Sequence, residues 1–382
     1  MKINTQFIHA GVDRDPYTGA ATVPIYLSST YAQADAVNIG QYEYARCGNP
    51  TREALESALA EIEGGEVGLA FASGMAATSS VLLMFQPGDH LVVGMDVYGG
   101  TYRILTAVFA RWGLKTTYVD ATNPANIEAA ITADTKAILV ETPSNPLLTI
   151  TDLDAVSAIA KKHGILAMAD GSFTTPFLQK PLDHGFDLVF HSATKFMNGH
   201  SDIIAGVAVA KTKELGAKLK FIQNAFGAIL GVQDSWLLLR GLKTLAVRLA
   251  REQETAAWLA EQFCSIPEIT KVYYPLLPDH PGRDIHLRQA TGGGAMLSFT
   301  LRDTDLTLRF LRNLKLPLLA VSLGGVESIM TYPAVMSHGS MPPEERARRG
   351  IGDNLVRMSV GLEDGEDLLA DIRQALAKAA NC

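Results

Sequence analysis

Five short, almost fully apolar runs constrain this chain more than any other feature: HLVVGM (90–95), AILVE (137–141), ILAMAD (165–170), DLVF (187–190) and IIAGVAVA (203–210). A strand with one wet face alternates apolar and polar residues; these do not, so they read as strands buried on both faces. Helical stretches lie between some of them, notably Leu153 to Lys162, closed by Gly164. Strands of this kind alternating with helices predict an α/β fold, a mostly parallel sheet lying between helices. In such sheets ligands bind beyond the carboxyl ends of the strands.

Other signals divide the chain. Residues 1–48, rich in Gly, Thr, Tyr and Ser, read as an extended arm. Asn49-Pro50 predicts a helix start, because Asn caps well and Pro suits the first helical position. Leu55, Leu59 and Ile62 continue that helix and Gly64-Gly65 stop it. Near residue 235 the strands cease, and WLLLRGLKTLAVRLAREQETAAWLAEQF reads as a long helical stretch with Gly241 as a candidate break. Beyond it comes a smaller α+β segment. A loop rich in Pro, His and Gly (274–294) precedes AMLSFTL, a helix, PLLAV and a final strand–helix pair. The expected layout is an arm (1–48), a sheet domain (49–235) and a C-terminal α+β domain (236–382).

Composition narrows the function classes. The chain has 382 residues, 47% hydrophobic and 19% charged, as expected of a globular protein with ample core. A net charge of −7 disfavours nucleic acid, which requires a basic face. MKINTQFIHAGVDRD lacks the apolar core of a signal peptide, and no run reaches the ~20 apolar residues of a membrane span. Three distant cysteines, Cys47, Cys264 and Cys382, fit reduced thiols in the cytoplasm. No HxxxH or CxxC spacing suggests a metal site.

Three features converge on the strand ends. Ser73-Gly74-Met75 opens a helix, where free amides and the helix dipole favour phosphate. Asp170 ends an apolar strand, and a carboxylate there needs a partner. Ser192-Ala-Thr194-Lys195 follows another. Singly, each has an ordinary reading: a Ser cap, a structural carboxylate, a lysine reaching solvent. In this order they are what pyridoxal phosphate needs: a phosphate cradle, a carboxylate to keep the pyridine nitrogen protonated, and a lysine to bond the aldehyde.

Over essentially its whole length the chain resembles the Cys/Met-metabolism enzymes that use pyridoxal phosphate, of the aspartate-aminotransferase-like fold (fold type I). The resemblance rests on YEYARCGNPTR (42–52), FASGMAA (71–77), DVYGGTYR (96–103), ETPSNPLL (141–148), HSATKFMNGHSD (191–202), LLLRGLKTL (237–245), SLGGVES (322–328) and LVRMSVGLED (355–364). It implies that Lys195 carries the cofactor and moves protons, and that Tyr98 stacks on the ring and helps to activate substrate. It implies that Gly74, Met75, Ser192 and Thr194 hold the phosphate and Asn145 meets the 3-oxygen side. Arg357, with Ser322 beside it, would clamp the substrate carboxylate. Tyr44 and Arg46 would reach the phosphate of a neighbouring subunit, implying a homo-oligomer with the dimer as minimal unit and a tetramer, a dimer of dimers, expected. Where the family usually has Asp-Asn-Thr this chain has Asp170-Gly171-Ser172, expected to loosen the backbone behind the cofactor. Cys47, where the family often has a smaller residue, reads as packing.

The family's lyases and synthases act on small sulfur-containing amino acids. Gly100 stands where methionine γ-lyases carry cysteine, which disfavours that activity. Val321 stands where γ-lyases and γ-synthases more often carry glutamate. QNAFGAILGVQDSW (223–236), DHPG (279–282), LAVSLGGVESI (319–329) and YPAVMSHGSMPPEERARRGI (332–351) resemble the family's cystathionine β-lyases, which implies carbon–sulfur β-elimination, taking L-cystathionine to homocysteine, pyruvate and ammonia, with action on cysteine or cystine too. Cystathionine γ-lyase and γ-synthase activities are the alternatives within the family. A nucleotide-binding α/β protein without pyridoxal phosphate is the alternative outside it, but neither GxGxxG nor GxxxxGK[ST] is present.

Overall fold

The computed structural model describes residues 1–11, 15, 17–339 and 341–380; Cys382 lies outside the described residues. Seven strands form the larger sheet: β1 Val67–Phe71, β2 His90–Gly94, β3 Lys115–Val119, β4 Thr135–Glu141, β5 Leu166–Asp170, β6 Leu188–His191 and β7 Gly206–Ala210. Their spatial order is β1-β7-β6-β5-β4-β2-β3. Only β7 runs against the others, antiparallel to both neighbours. All five apolar runs form strands. Residues such as Val92, Ile138, Ala167 and Val189 have no exposed surface, as strands covered by helices on both faces require. Two strands of this sheet were not anticipated, the edge strands β1 and β3, of which β3 is partly exposed.

The helix Pro50–Glu63 starts and stops as its sequence dictates. The Asn49 side chain accepts from the Thr51 and Arg52 amides, and Gly64 turns left-handed at φ 77. The helix Leu153–His163 ends on Gly164 in the same way. The long helical stretch is two helices, Val232–Leu242 and Leu245–Phe263, the break falling just past Gly241. The first residues are not wholly extended: Ile3–His9 is a helix that buries Phe7 in the main core.

The smaller sheet has the order β10-β11-β12-β9-β8, built from β8 Ile269–Tyr273, β9 Met296–Leu301, β10 Leu318–Leu319, β11 Ile329–Thr331 and β12 Leu355–Ser359. The final helix, Gly365–Ala380, buries Leu368, Ile372 and Leu376 in the core of this sheet. No helix among the described residues is long and apolar enough to cross a membrane.

Candidate active site

One cavity of about 830 Å³ lies where the large sheet's carboxyl ends meet the smaller sheet. Its lining includes Gly74, Met75, Tyr98, Asn145, Asp170, Ser192, Thr194, Lys195, Ser322 and Arg357. The structure thus gathers residues up to 283 positions apart in sequence onto one wall-to-wall site.

Lys195 sits in the turn after β6. Its Nζ donates to Ser322 Oγ at 2.6 Å. Ser322 adopts φ 87, a strained conformation for serine of the kind found where geometry serves a site. Burial, with the nearby Arg357 charge, lowers the Lys195 amine from its ordinary range to about 8. The turn after Lys195 is clamped from below by the buried Arg248 of helix Leu245–Phe263. Its guanidinium donates to the carbonyls of Phe196, Met197, Asn198 and Gly241.

Asp170 ends β5. Its Oδ1 accepts from both the amide (3.0 Å) and the hydroxyl (2.6 Å) of Ser172. Ser172 Oγ in turn accepts from the Ser192 amide at 2.8 Å, tying the Asp170 turn to the lysine turn. Burial pushes the Asp170 carboxyl up, against the pull of these bonds and of His191. Gly171 has a packing reason that the sequence did not show. A Cβ there would lie 2.5 Å from His191 Cε1, so the glycine makes room for a packed ring.

Ser73 caps helix Gly74–Leu82, its side chain accepting from the Ala76 amide at 3.0 Å. The Gly74 and Met75 amides stand at the first turn, where an α-helix supplies no acceptors of its own. A Cβ on Gly74 would come 2.9 Å from Ser192 Cβ, so the helix start and the lysine turn are in close contact. The Thr194 hydroxyl is engaged with the Ala205 backbone, accepting from its amide at 3.0 Å.

Arg357, in the middle of β12, is 3% exposed. Its Nη1 donates to Asn145 Oδ1 at 2.9 Å; its Nη2 donates to the Ser322 carbonyl (2.7 Å) and Thr331 Oγ1 (3.0 Å). Its Nε is buried without a partner, a donor left to spend on a ligand. Burial lowers the guanidinium to about 10, so it remains a cation near neutral pH.

Sequence reasoning missed Glu141, at the end of β4. Its two carboxylate oxygens accept from the Tyr98 amide (2.9 Å) and the Asn145 amide (3.2 Å), fixing both residues at once. Burial, then the Asp170 charge, raises its carboxyl well above the usual range. The signal was available, since a carboxylate ending an apolar strand singled out Asp170 by the same rule. Tyr44 and Arg46 do not line the cavity. Tyr44 is exposed, Arg46 donates to Asn224, and the guanidinium stacks 5.6 Å from the Tyr44 ring centroid. The Cys47 thiol donates to Asn224 Oδ1 at 3.3 Å.

A lysine able to shed its proton near neutrality, a strand-end carboxylate and open helix amides form a site for an aromatic aldehyde phosphate. The family model for Cys/Met metabolism PLP-dependent enzymes matches residues 4–377. The chain belongs to that family. It is therefore an enzyme that depends on pyridoxal 5′-phosphate, of the fold type expected. It is 52% identical to Cystathionine beta-lyase MetC of Bacillus subtilis (strain 168), over 99% of this chain and 97% of that protein. It is 50% identical to Cystathionine gamma-lyase of the same organism, over 98% and 99%. The solved structure of cystathionine gamma synthase from Xanthomonas oryzae pv. oryzae in complex with cystathionine superposes with a TM-score of 0.97. It shares 45% identity, with 100% of this chain and 99% of that chain covered.

Proposed function

We propose that the chain is a carbon–sulfur lyase acting on a small sulfur-containing amino acid, cleaving L-cystathionine by β-elimination to homocysteine, pyruvate and ammonia. The observation that carries the reading is Lys195, its amine lowered to about 8, in one cavity with Asp170 and the cationic Arg357. Similarity to a β-lyase, a γ-lyase and a γ-synthase supports cystathionine-type chemistry. Val321, apolar and 62% exposed on the cavity wall, supports the β assignment by offering no carboxylate there. Gly100 supports it against methionine γ-lyase: the space a side chain would need is filled by the Tyr98 ring and Met75.

Residues present fit the cofactor. The Gly74 and Met75 amides with Ser192 would receive its phosphate; Thr194, engaged with Ala205, would serve that turn's shape as much as the phosphate. Asp170, with Ser172 holding only Oδ1, would face the ring nitrogen, and Tyr98 would lie against the ring. Asn145 would meet the 3-oxygen side, and Lys195 would take the aldehyde. When bound, the cofactor supplies an electron-withdrawing ring that stabilises negative charge beside the amino-bearing carbon.

The chain's own residues do the rest. Arg357, oriented by Asn145, the Ser322 carbonyl and Thr331, holds the substrate carboxylate through its charge and its free Nε. That leaves the substrate's Cα–H within reach of Lys195, which removes the proton and returns it to the departing sulfur. The hydrogen bond from Nζ to Ser322 Oγ keeps the amine aimed across the cavity.

Tyr44 and Arg46, exposed and away from the cavity of their own chain, would complete the phosphate site of a neighbouring copy in a homodimer or a tetramer built from dimers. The deciding experiment is product analysis with L-cystathionine as sole substrate. Pyruvate should exceed 2-oxobutyrate by at least about tenfold; dominant 2-oxobutyrate would overturn the β assignment in favour of γ-elimination.

A further inference from the structure

A buried histidine–glutamate pair lies behind Asp170 and takes no part in the reactions described. His191 ends β6 and Glu63 ends helix Pro50–Glu63; both side chains are fully buried, with His191 Nε2 2.6 Å from Glu63 Oε1. At 2.6 Å and full burial, pairing of the imidazole with the carboxylate is what makes their burial tolerable. A carboxylate and an imidazole this deep are costly unless each offsets the other's charge. The ring occupies the place of a Gly171 side chain, one peptide from Asp170, and β5 pairs with β6 at that level, Asp170 opposite Phe190. Facing the ring, the helix contributes Glu63 and β5 contributes Asp170. The β7 residue paired with it, Val207, carries no charge, and Glu141 lies beyond Asp170 on β4.

We propose that Glu63 and His191 form a buried charge pair that holds Asp170 ionised and in place, making His191 a positioning residue for the partner of the cofactor's ring nitrogen. This rests on the reading of Asp170 given above. Signs then alternate from the core outward: Glu63 negative, His191 positive, Asp170 negative, ring nitrogen positive. Burial pushes the imidazole down, but Glu63, Asp170 and the Gly171 carbonyl outweigh it and leave it raised. His191 in turn pulls Asp170 down against its own burial. A raised imidazole keeps its charge below its folded value, so the pair's stabilisation is full in acid and fades as pH climbs through that value.

The test is titration of apoenzyme with pyridoxal 5′-phosphate at about pH 6.5 and about pH 8.5, with the apoenzyme melting temperature measured at each. Glu63→Gln removes the counter-charge and lets His191 lose its proton earlier. Its cofactor Kd should weaken at least about tenfold more between the two pH values than the wild type's. His191→Gln should weaken Kd by about tenfold at both, and Glu63→Asp should restore most of the wild-type behaviour. Should Glu63→Gln fail to fold, Glu63→Asp and His191→Gln carry the comparison. Wild-type Kd in the variants at both pH values overturns the proposal. So does a loss in Glu63→Gln that is equal at both pH values and follows the drop in melting temperature. Asp170→Asn separates the two layers. If it weakens binding while the other variants do not, only the charge pair fails; if it too binds normally, the Asp170 reading falls with it.

Discussion

Arg357 is a buried cation with two committed nitrogens and one free, a donor set that lysine cannot copy. Arg357→Lys should therefore raise KM by about 30- to 100-fold, the loss expected for one charge-assisted pair, with a much smaller change in kcat. Steady-state kinetics checks this; an unchanged KM would place the substrate carboxylate elsewhere. Residues of this kind were legible in sequence because they contradict their surroundings. Asp170 ends an apolar strand, Lys195 follows one, and Arg357 sits in the middle of β12. Gly171 and His191 were not legible as a pair. A glycine that vacates space for a ring 20 positions away looks, in one dimension, like a turn residue. Glu141 lay within a quoted motif and obeyed the rule that exposed Asp170, so its role could have been read.

Among the elements, helix Leu245–Phe263 reaches the site through a single side chain. Arg248 donates to the carbonyls of Phe196, Met197 and Asn198 in the turn after Lys195 and to that of Gly241. Arg248→Met, similar in length but without donors, should cost about 3 kcal/mol or more in urea unfolding of the apoenzyme. A loss below about 1 kcal/mol would mean that the turn is held by other contacts. The elements themselves were legible where periodicity and caps agreed, as at Asn49-Pro50 and Gly164. Two of the overlooked strands lack an apolar signature. KTTYV at the edge alternates weakly because one side stays partly wet, and ITKVY exposes two of its five residues. Local patterning cannot announce a strand whose partner supplies most of its stabilisation.

At the scale of the whole molecule, two sheets that fold from separate parts of the chain meet at one cavity, and the arm carries Tyr44 and Arg46 elsewhere on the surface. If these residues complete a neighbour's site, defects should complement. Lys195→Ala and Arg46→Ala, each nearly inactive alone, should regain roughly one quarter of wild-type activity when unfolded and refolded together, because each mixed dimer holds one undamaged site. Activity that stays at the sum of the separate variants would confine each site to its own chain. The overall α/β architecture was legible because buried parallel strands leave no alternation to misread. The meeting of the sheets was not, since contacts between Arg357 and Asn145 span 212 positions that no local pattern connects.

If Lys195 carries the cofactor, the amine at position 195 is where the two are joined. Borohydride reduction of the holoenzyme followed by proteolysis and peptide mass spectrometry tests it most directly. The reduced cofactor's added mass should appear on the peptide containing Lys195 and on no other lysine; mass on a different lysine, or on none, would rule out Lys195 as the point of attachment.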